Sequence, residues 1–134
     1  MSGVALREAI CEGDLGAVQN LVEAEGVSVN YVDVDDGWPV LLWAVKARQP
    51  ECLAFLLSKG ASVHLGDSSG NTALHKAAYL GFDDCVRILL QYGARADAQN
   101  LTRQSPADLA DIFGRKHIVD LLAAYEHGAP EQMQ

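Results

Sequence analysis

A shift of 33 residues lays most of this chain on itself. Gly37, Leu41, Ala44, Cys52, Leu56, Leu57, Gly60 and Ala61 fall on Gly70, Leu74, Ala77, Cys85, Leu89, Leu90, Gly93 and Ala94. A second shift of 33 carries Ala77, Gly81, Val86 and Leu89 onto Ala110, Gly114, Val119 and Leu122. Upstream, Leu6, Ala9, Gly13, Val18 and Leu21 repeat the pattern at a step of 35, which puts two extra residues between Leu21 and Gly37. Four copies of one unit therefore account for nearly the whole chain. A period in this range specifies a stack, because a unit this small buries its apolar face only against its neighbours.

The unit is most regular from Gly70 to Ala94. Asn71-Thr72 is a polar pair ahead of an Ala- and Leu-rich run, which predicts a helix start. Gly81 stops that run where a left-handed residue is favoured. Asp83 and Asp84 then open a second helix with the charge its dipole prefers. Val86, Leu89 and Leu90 follow at helical spacing and Gly93 ends it. The unit reads as helix, tight turn, helix, and neither helix is long enough to stand alone in water.

Thr72-Ala73-Leu74-His75-Lys76-Ala77 resembles the T-P-L-H-x-A signature of ankyrin repeats, with Ala73 in place of the proline. Leu89-Leu90-Gln91-Tyr92-Gly93-Ala94 and Leu56-Leu57-Ser58-Lys59-Gly60-Ala61 are similar to the L-L-x-x-G-A ending of that family. The resemblance implies an all-α solenoid of four helix–turn–helix repeats joined by β-hairpin-like loops. The repeats are placed at about 4–31, 32–65, 66–98 and 99–125, within a domain spanning 1–126, and the tail 127–134 is expected to be disordered. Repeat one is expected as helices Val4–Glu12 and Leu15–Ala24, and the last helix as Arg115–Tyr125. Repeat two departs most: Trp38-Pro39-Val40-Leu41-Leu42-Trp43-Ala44 replaces the signature, and Arg48 stands where Gly13, Gly81 and Gly114 make the turn. A left-handed arginine costs about 1 kcal/mol, so Arg48→Gly is expected to stabilise the fold. Repeat four starts a helix at Ser105-Pro106 and puts Ala107 and Asp108 where repeat three has Leu74 and His75.

Composition narrows the functional classes. Residues 1–36 hold eight acids against Arg7, a net −7 of the chain's −8. Such an end solubilises a cap or steers a basic partner, and it repels nucleic-acid backbones. The longest apolar run, Pro39 to Val45, is far short of a membrane span. MSGVALREAI lacks the basic-then-apolar order of a signal peptide. Cys11, Cys52 and Cys85 are odd in number and widely spaced, which suits reduced thiols inside a cell, in cytoplasm or nucleus.

No catalytic constellation emerges, and an enzyme is the least favoured class. His75 is the obvious suspect as a base, but the resemblance assigns it to hydrogen bonds that tie neighbouring repeats together. His64, His117 and His127 have no partner at a metal-ligand spacing with the cysteines, so no metal site and no cofactor is expected. Cys52 and Cys85 are repeat-equivalent and read as packing residues. The resemblance also offers one modification site. Asn30 stands at the hairpin asparagine that an oxygen-sensing hydroxylase modifies in ankyrin proteins, against the simpler reading of a turn residue tolerating special dihedrals.

The resemblance implies that a partner protein contacts loop tips and the last turn of each first helix. Carried over by position, the tips are Asp35, Asp36 and Trp38, then Ser68, Ser69 and Asn71, then Leu101, Thr102 and Gln104. The helix positions are Cys11 and Glu12, Lys46 and Ala47, Tyr79 and Leu80, and Ile112 and Phe113. This face is acidic at one end and apolar at the other. The expected function is a monomeric, non-catalytic interaction module, an adaptor or regulator, for a partner with basic and hydrophobic parts. Ser105-Pro106-Ala107-Asp108-Leu109-Ala110 is also similar to the last repeats of small cyclin-dependent-kinase inhibitors, which keeps a stoichiometric inhibitor as the alternative.

Overall fold

A computed structural model describes residues 2–126. Eight helices follow in order: α1 Ser2–Glu12, α2 Leu15–Glu23, α3 Val40–Lys46, α4 Pro50–Ser58, α5 Ala73–Leu80, α6 Asp83–Gln91, α7 Pro106–Ile112 and α8 Lys116–Glu126. Each odd helix packs on the even helix after it. The odd helices then contact one another in sequence, and so do the even ones, giving two parallel rows. This is an all-α repeat solenoid. Among the described residues no helix is long and apolar enough to cross a membrane. The expectation about 127–134 lies outside the described residues.

One turn is used four times. Gly13, Arg48, Gly81 and Gly114 have φ of 73°, 51°, 79° and 74°. The residue after each donates its N–H back to a repeated alanine: Asp14 to Ala9, Gln49 to Ala44, Phe82 to Ala77 and Arg115 to Ala110. This closes the helix end on otherwise orphaned carbonyls. The alanine is buried every time, since a larger side chain has no room beneath the turn.

The helix starts differ. Thr72 and Ser105 form capping boxes with His75 and Asp108 respectively. Asp108 thus keeps the local cap in the last repeat, where no further loop follows within the described residues. Pro39 precedes α3 in an extended conformation and offers no side-chain cap.

The core runs the length of the stack through Leu6, Ile10, Leu41, Leu53, Leu56, Leu74, Leu89, Leu90, Ile118 and Leu122. Cys52 and Cys85 are buried within it. Between repeats the chain makes short hairpins, marked by the bridges Val32–Pro39 and Gly66–Thr72.

The two extra residues of the first step fall in separate places. Val27 returns its N–H to Leu21, six residues back, where Ala61 and Ala94 return theirs five back, to Leu56 and Leu89. Gly37 returns to Asp33, four back, where Gly70 and Arg103 return three back, to Asp67 and Asn100. One insertion follows α2 and the other lies in the hairpin that carries Asp35 and Asp36.

Candidate functional site

Each hairpin opens on one residue that organises it. The Oδ1 of Asp33, Asp67 and Asn100 accepts the N–H two residues on, from Asp35, Ser69 and Thr102 at 2.8, 2.9 and 3.0 Å. The two carboxylates are matched by cations. Arg7 Nη1 lies 2.7 Å from Asp33 Oδ2, and Lys76 Nζ lies 3.1 Å from Asp67 Oδ2. Burial alone would raise the Asp67 carboxyl. Hydrogen bonds from Asn71, Lys76 and Ser69 together outweigh it and hold the group below its ordinary value.

Those cations also touch aromatic rings. Arg7 lies 5.7 Å from the Trp43 ring centre, and Lys76 lies 4.1 Å from Trp38 and 5.7 Å from Tyr79. Trp38 and Trp43 pack at 4.7 Å between ring centres, and Tyr79 and Phe113 at 5.1 Å. The result is one continuous ladder, Arg7–Trp43–Trp38–Lys76–Tyr79–Phe113, running from α1 to the end of α7. The occluded Trp43 Nε1–H has no acceptor among the described residues. An unmade hydrogen bond of this kind costs about 1–3 kcal/mol.

The ladder is sealed in its middle, at Lys76, and open at its α7 end, with Arg7 at the far end partly exposed. Lys76 is 4% exposed, whereas Phe113 is 53% and Ile112 62% exposed. Tyr79 and Leu80 are half-buried beside them, while Lys46, Cys11 and Glu12 are exposed and Ala47 is half-buried. At the hairpins, Asp35, Asp36, Ser68, Ser69, Leu101 and Thr102 are exposed and Trp38 is half-buried.

Two of the sequence-derived loop-tip positions bond to other loop residues. Asn71 Oδ1 accepts from Asn100 Nδ2 at 2.8 Å, and the Gln104 side-chain oxygen meets the Thr102 hydroxyl at 2.9 Å. Their amide oxygens are engaged by neighbouring loop residues, and both side chains are half-buried. Asp33 is likewise not part of the exposed acidic field, being buried and paired with Arg7.

His75 is fully buried. Its Nδ1 accepts the Thr72 N–H at 3.1 Å, so the proton sits on Nε2 and is donated to the Gln104 carbonyl at 2.9 Å. Burial lowers its pKa, and the bond to Gln104 only partly offsets this. Both nitrogens are engaged, so the ring is a tie between hairpins and not a base facing solvent. Burial, reinforced by Asp84, pushes the Cys85 thiol up to about 12, and burial also raises Cys52 and Cys11. None is an activated thiolate. Among the described residues no group of three His, Cys, Asp or Glu side chains is placed to hold a metal ion.

Asn30 is exposed, and its Oδ1 accepts the Ser62 N–H of the next repeat at 2.8 Å. Its φ is not positive, so its role is a bridge between repeats and not tolerance of unusual dihedrals.

Arg7, Trp43 and Lys76 were missing from the sequence-derived positions. The signal lies in the 33-residue shift, which pairs Trp38 with Asn71 and Trp43 with Lys76. Tryptophan stands in repeat two where repeat three has Asn71 and Lys76.

The model of ankyrin repeats matches residues 6–100 and 60–132. The chain belongs to the ankyrin repeat family. It is 35% identical over 108 residues to mouse protein phosphatase 1 regulatory subunit 27, covering 81% of this chain and 70% of that one. The human protein of the same name is 34% identical over the same shares. The Arabidopsis thaliana E3 ubiquitin-protein ligase KEG is 38% identical over 131 residues, which is 96% of this chain but 8% of that protein. In this ankyrin chain the ladder lies along the first helices of the repeats and the hairpin before α3.

Proposed function

We propose that this chain is a non-catalytic protein-interaction module, an adaptor or regulator, acting inside the cell. It holds its partner on the concave face and hairpin tips. The observation that carries the reading is the exposed apolar end of the ladder. Tyr79, Leu80, Ile112 and Phe113 form a partly exposed apolar patch at the end of α5 and α7, where Ile112 and Phe113 are more than half exposed, while Leu74, Leu89, Leu90 and Leu122 of the same repeats are buried. Exposed aromatics backed by packed neighbours are the usual anchors of an interface. Stacked repeats hold such anchors rigidly, so little entropy is lost on binding.

The partner combines apolar side chains for this end with basic groups for Asp35, Asp36, Glu8 and Glu12, all exposed at the other. Nucleic acid and membrane are not its partners, and the module works as a monomer. The mouse and human relatives are named as regulatory subunits of protein phosphatase 1, which makes that phosphatase the first partner to test.

The test is calorimetric titration with the phosphatase catalytic subunit, followed by affinity capture if it does not bind. Each experiment includes a Trp38→Ala/Tyr79→Ala/Phe113→Ser variant that circular dichroism shows to be folded. Loss of binding in that variant supports the reading, and full retention rejects it. Phosphatase activity measured in the complex separates an adaptor from a stoichiometric inhibitor.

A further inference from the structure

Lys76 is buried where the repeat itself does not require a lysine. The equivalent residue is Trp43 one repeat earlier and Leu109 one repeat later. Likewise Asn100 does in the last hairpin what Asp67 does in the middle one: its Oδ1 accepts the N–H groups of Thr102 and Gln104, as Asp67 Oδ1 accepts those of Ser69 and Asn71. Asn100 with Leu109 therefore closes a repeat of this chain with no ion pair. A buried ion pair is a poor source of stability, since an apolar replacement of similar volume is commonly neutral or better. The Asp67–Lys76 pair calls for a reason other than folding.

Its position supplies one. Trp38 and Trp43 form one aromatic pair, contributed by the hairpin and helix of repeat two. Tyr79 and Phe113 form the other, spanning repeats three and four. Among the described residues these pairs are joined through the Lys76 ammonium, 4.1 Å from one ring and 5.7 Å from the other. Asp67 fixes that ammonium from the hairpin side at 3.1 Å. A lysine side chain is long and has much rotamer freedom. Here the carboxylate removes that freedom, and a desolvated ammonium attracts both rings more strongly than it would in water.

We propose that Lys76 is a positioning residue of the partner-binding face: its ammonium, clamped by Asp67, sets Trp38 and Tyr79 in the arrangement that a partner meets. The inference rests on the reading of that face as the docking surface. It also sharpens partner choice. One face of the Trp38 ring is already covered by the Lys76 ammonium, so that face is closed to a partner's lysine or arginine. Basic groups of the partner are left to Asp35 and Asp36, and the ladder takes apolar side chains.

The test variant follows from the chain's own alternative, Asp67→Asn/Lys76→Leu, which copies Asn100 and Leu109. Lys76→Arg is the conservative rescue. The probe is a peptide selected against the wild-type protein from a random phage library. Trp38 order is read by acrylamide quenching and near-ultraviolet dichroism in a Trp43→Phe background. The double variant is expected to weaken peptide binding about tenfold, the cost of leaving two large side chains to be ordered on binding. It is also expected to make Trp38 more quenchable, with Lys76→Arg close to wild type in both. Equal peptide binding by the double variant and wild type overturns the proposal, and so does weaker binding with an unchanged Trp38 signal. Asp67→Asn alone, expected to shift both readings the same way by less, carries the comparison if the double variant does not fold. The Trp38→Ala/Tyr79→Ala/Phe113→Ser variant separates the two levels. If it still binds the peptide, the face itself is wrongly assigned and the role of Lys76 falls with it. If it does not bind while the double variant does, only Lys76 is rejected.

Discussion

The Nε2–H of His75 is donated to the backbone carbonyl of Gln104, across the boundary between two repeats, at 2.9 Å. This bond couples α5 to the hairpin that introduces α7. His75→Ala leaves that carbonyl and the Thr72 N–H without their partner and opens a cavity, and is expected to cost about 3 kcal/mol in urea unfolding. The same ring predicts a pH dependence. Unfolded histidine takes up its proton near pH ~6.5, and folded His75 does so only at lower pH. Between the two values the unfolded chain binds more protons, so stability rises with pH. The contribution is complete above about pH 6.5 and is lost as pH falls through the folded value of His75. Unfolding free energies measured across that window should slope upward in wild type. The slope should flatten in His75→Gln, and an equal slope in both would reject the assignment.

Arg48 illustrates how far a backbone argument alone can reach. Its φ of 51° is the left-handed turn that its place in the repeat predicts. The expectation that Arg48→Gly stabilises the fold does not allow for the side chain. The guanidinium approaches Asp84 at 3.4 Å and Asp83 at 3.6 Å, and lies 4.6 Å from the Phe82 ring centre. These groups are about half exposed, so each contact contributes only a few tenths of a kcal/mol. Together they offset most of the backbone cost of about 1 kcal/mol. Arg48→Gly is therefore expected to change stability by less than about 0.5 kcal/mol. In an Asp83→Asn/Asp84→Asn background it should stabilise by more, and a thermal-melt double-mutant cycle measures the difference. A large loss in the wild-type background would mean that the Arg48 contacts outweigh the turn.

The parts of the molecule legible in the sequence are those set by short-range chemistry. Gly81, Pro106 and the repeated alanines specify helix ends and turns within a few residues of themselves, and the helix ends fall within two residues of expectation. The contacts that escaped depend on how one repeat lands on the next. Arg7 meets Asp33 across 26 residues of chain, and Lys76 meets a tryptophan from the preceding hairpin. Lys76 also occupies the variable slot of the family signature, where the pattern carries no expectation. Asn71 looks like a free amide in the sequence because its partner Asn100 is 29 residues away, whereas the contact of Gln104 with Thr102, two residues back, is local and depends on the turn of the hairpin.

The thiols differ enough to be told apart by reagent. Cys11 is exposed, whereas Cys52 and Cys85 are buried. Thiolate is the reactive form, and the Cys85 thiol is pushed up to about 12. A thiol-specific disulfide reagent at mildly alkaline pH should modify Cys11 first, with Cys52 and Cys85 reacting at the rate of unfolding. Addition of urea should make all of them react together. Fast labelling of Cys85 in the native protein, located by peptide mass mapping, would contradict the packed position assigned to it.

The apolar end of the ladder separates interface from core most directly. Phe113 and Ile112 are each more than half exposed, and the main ring contact of Phe113 is with Tyr79 at 5.1 Å. Truncating them removes little buried area, so Phe113→Ser and Ile112→Ser should each cost less than about 1 kcal/mol. Leu89→Ala, from the sealed core, should cost about 2–5 kcal/mol. Partner affinity should move in the opposite order: a tenfold or larger loss, about 1.4 kcal/mol, for Phe113→Ser, where an anchor is removed. Urea unfolding and calorimetric titration on the same three variants give both scales. A Phe113→Ser protein as destabilised as Leu89→Ala would place the ring in the core of the terminal repeat. A stable one that binds normally would move the docking surface away from α7.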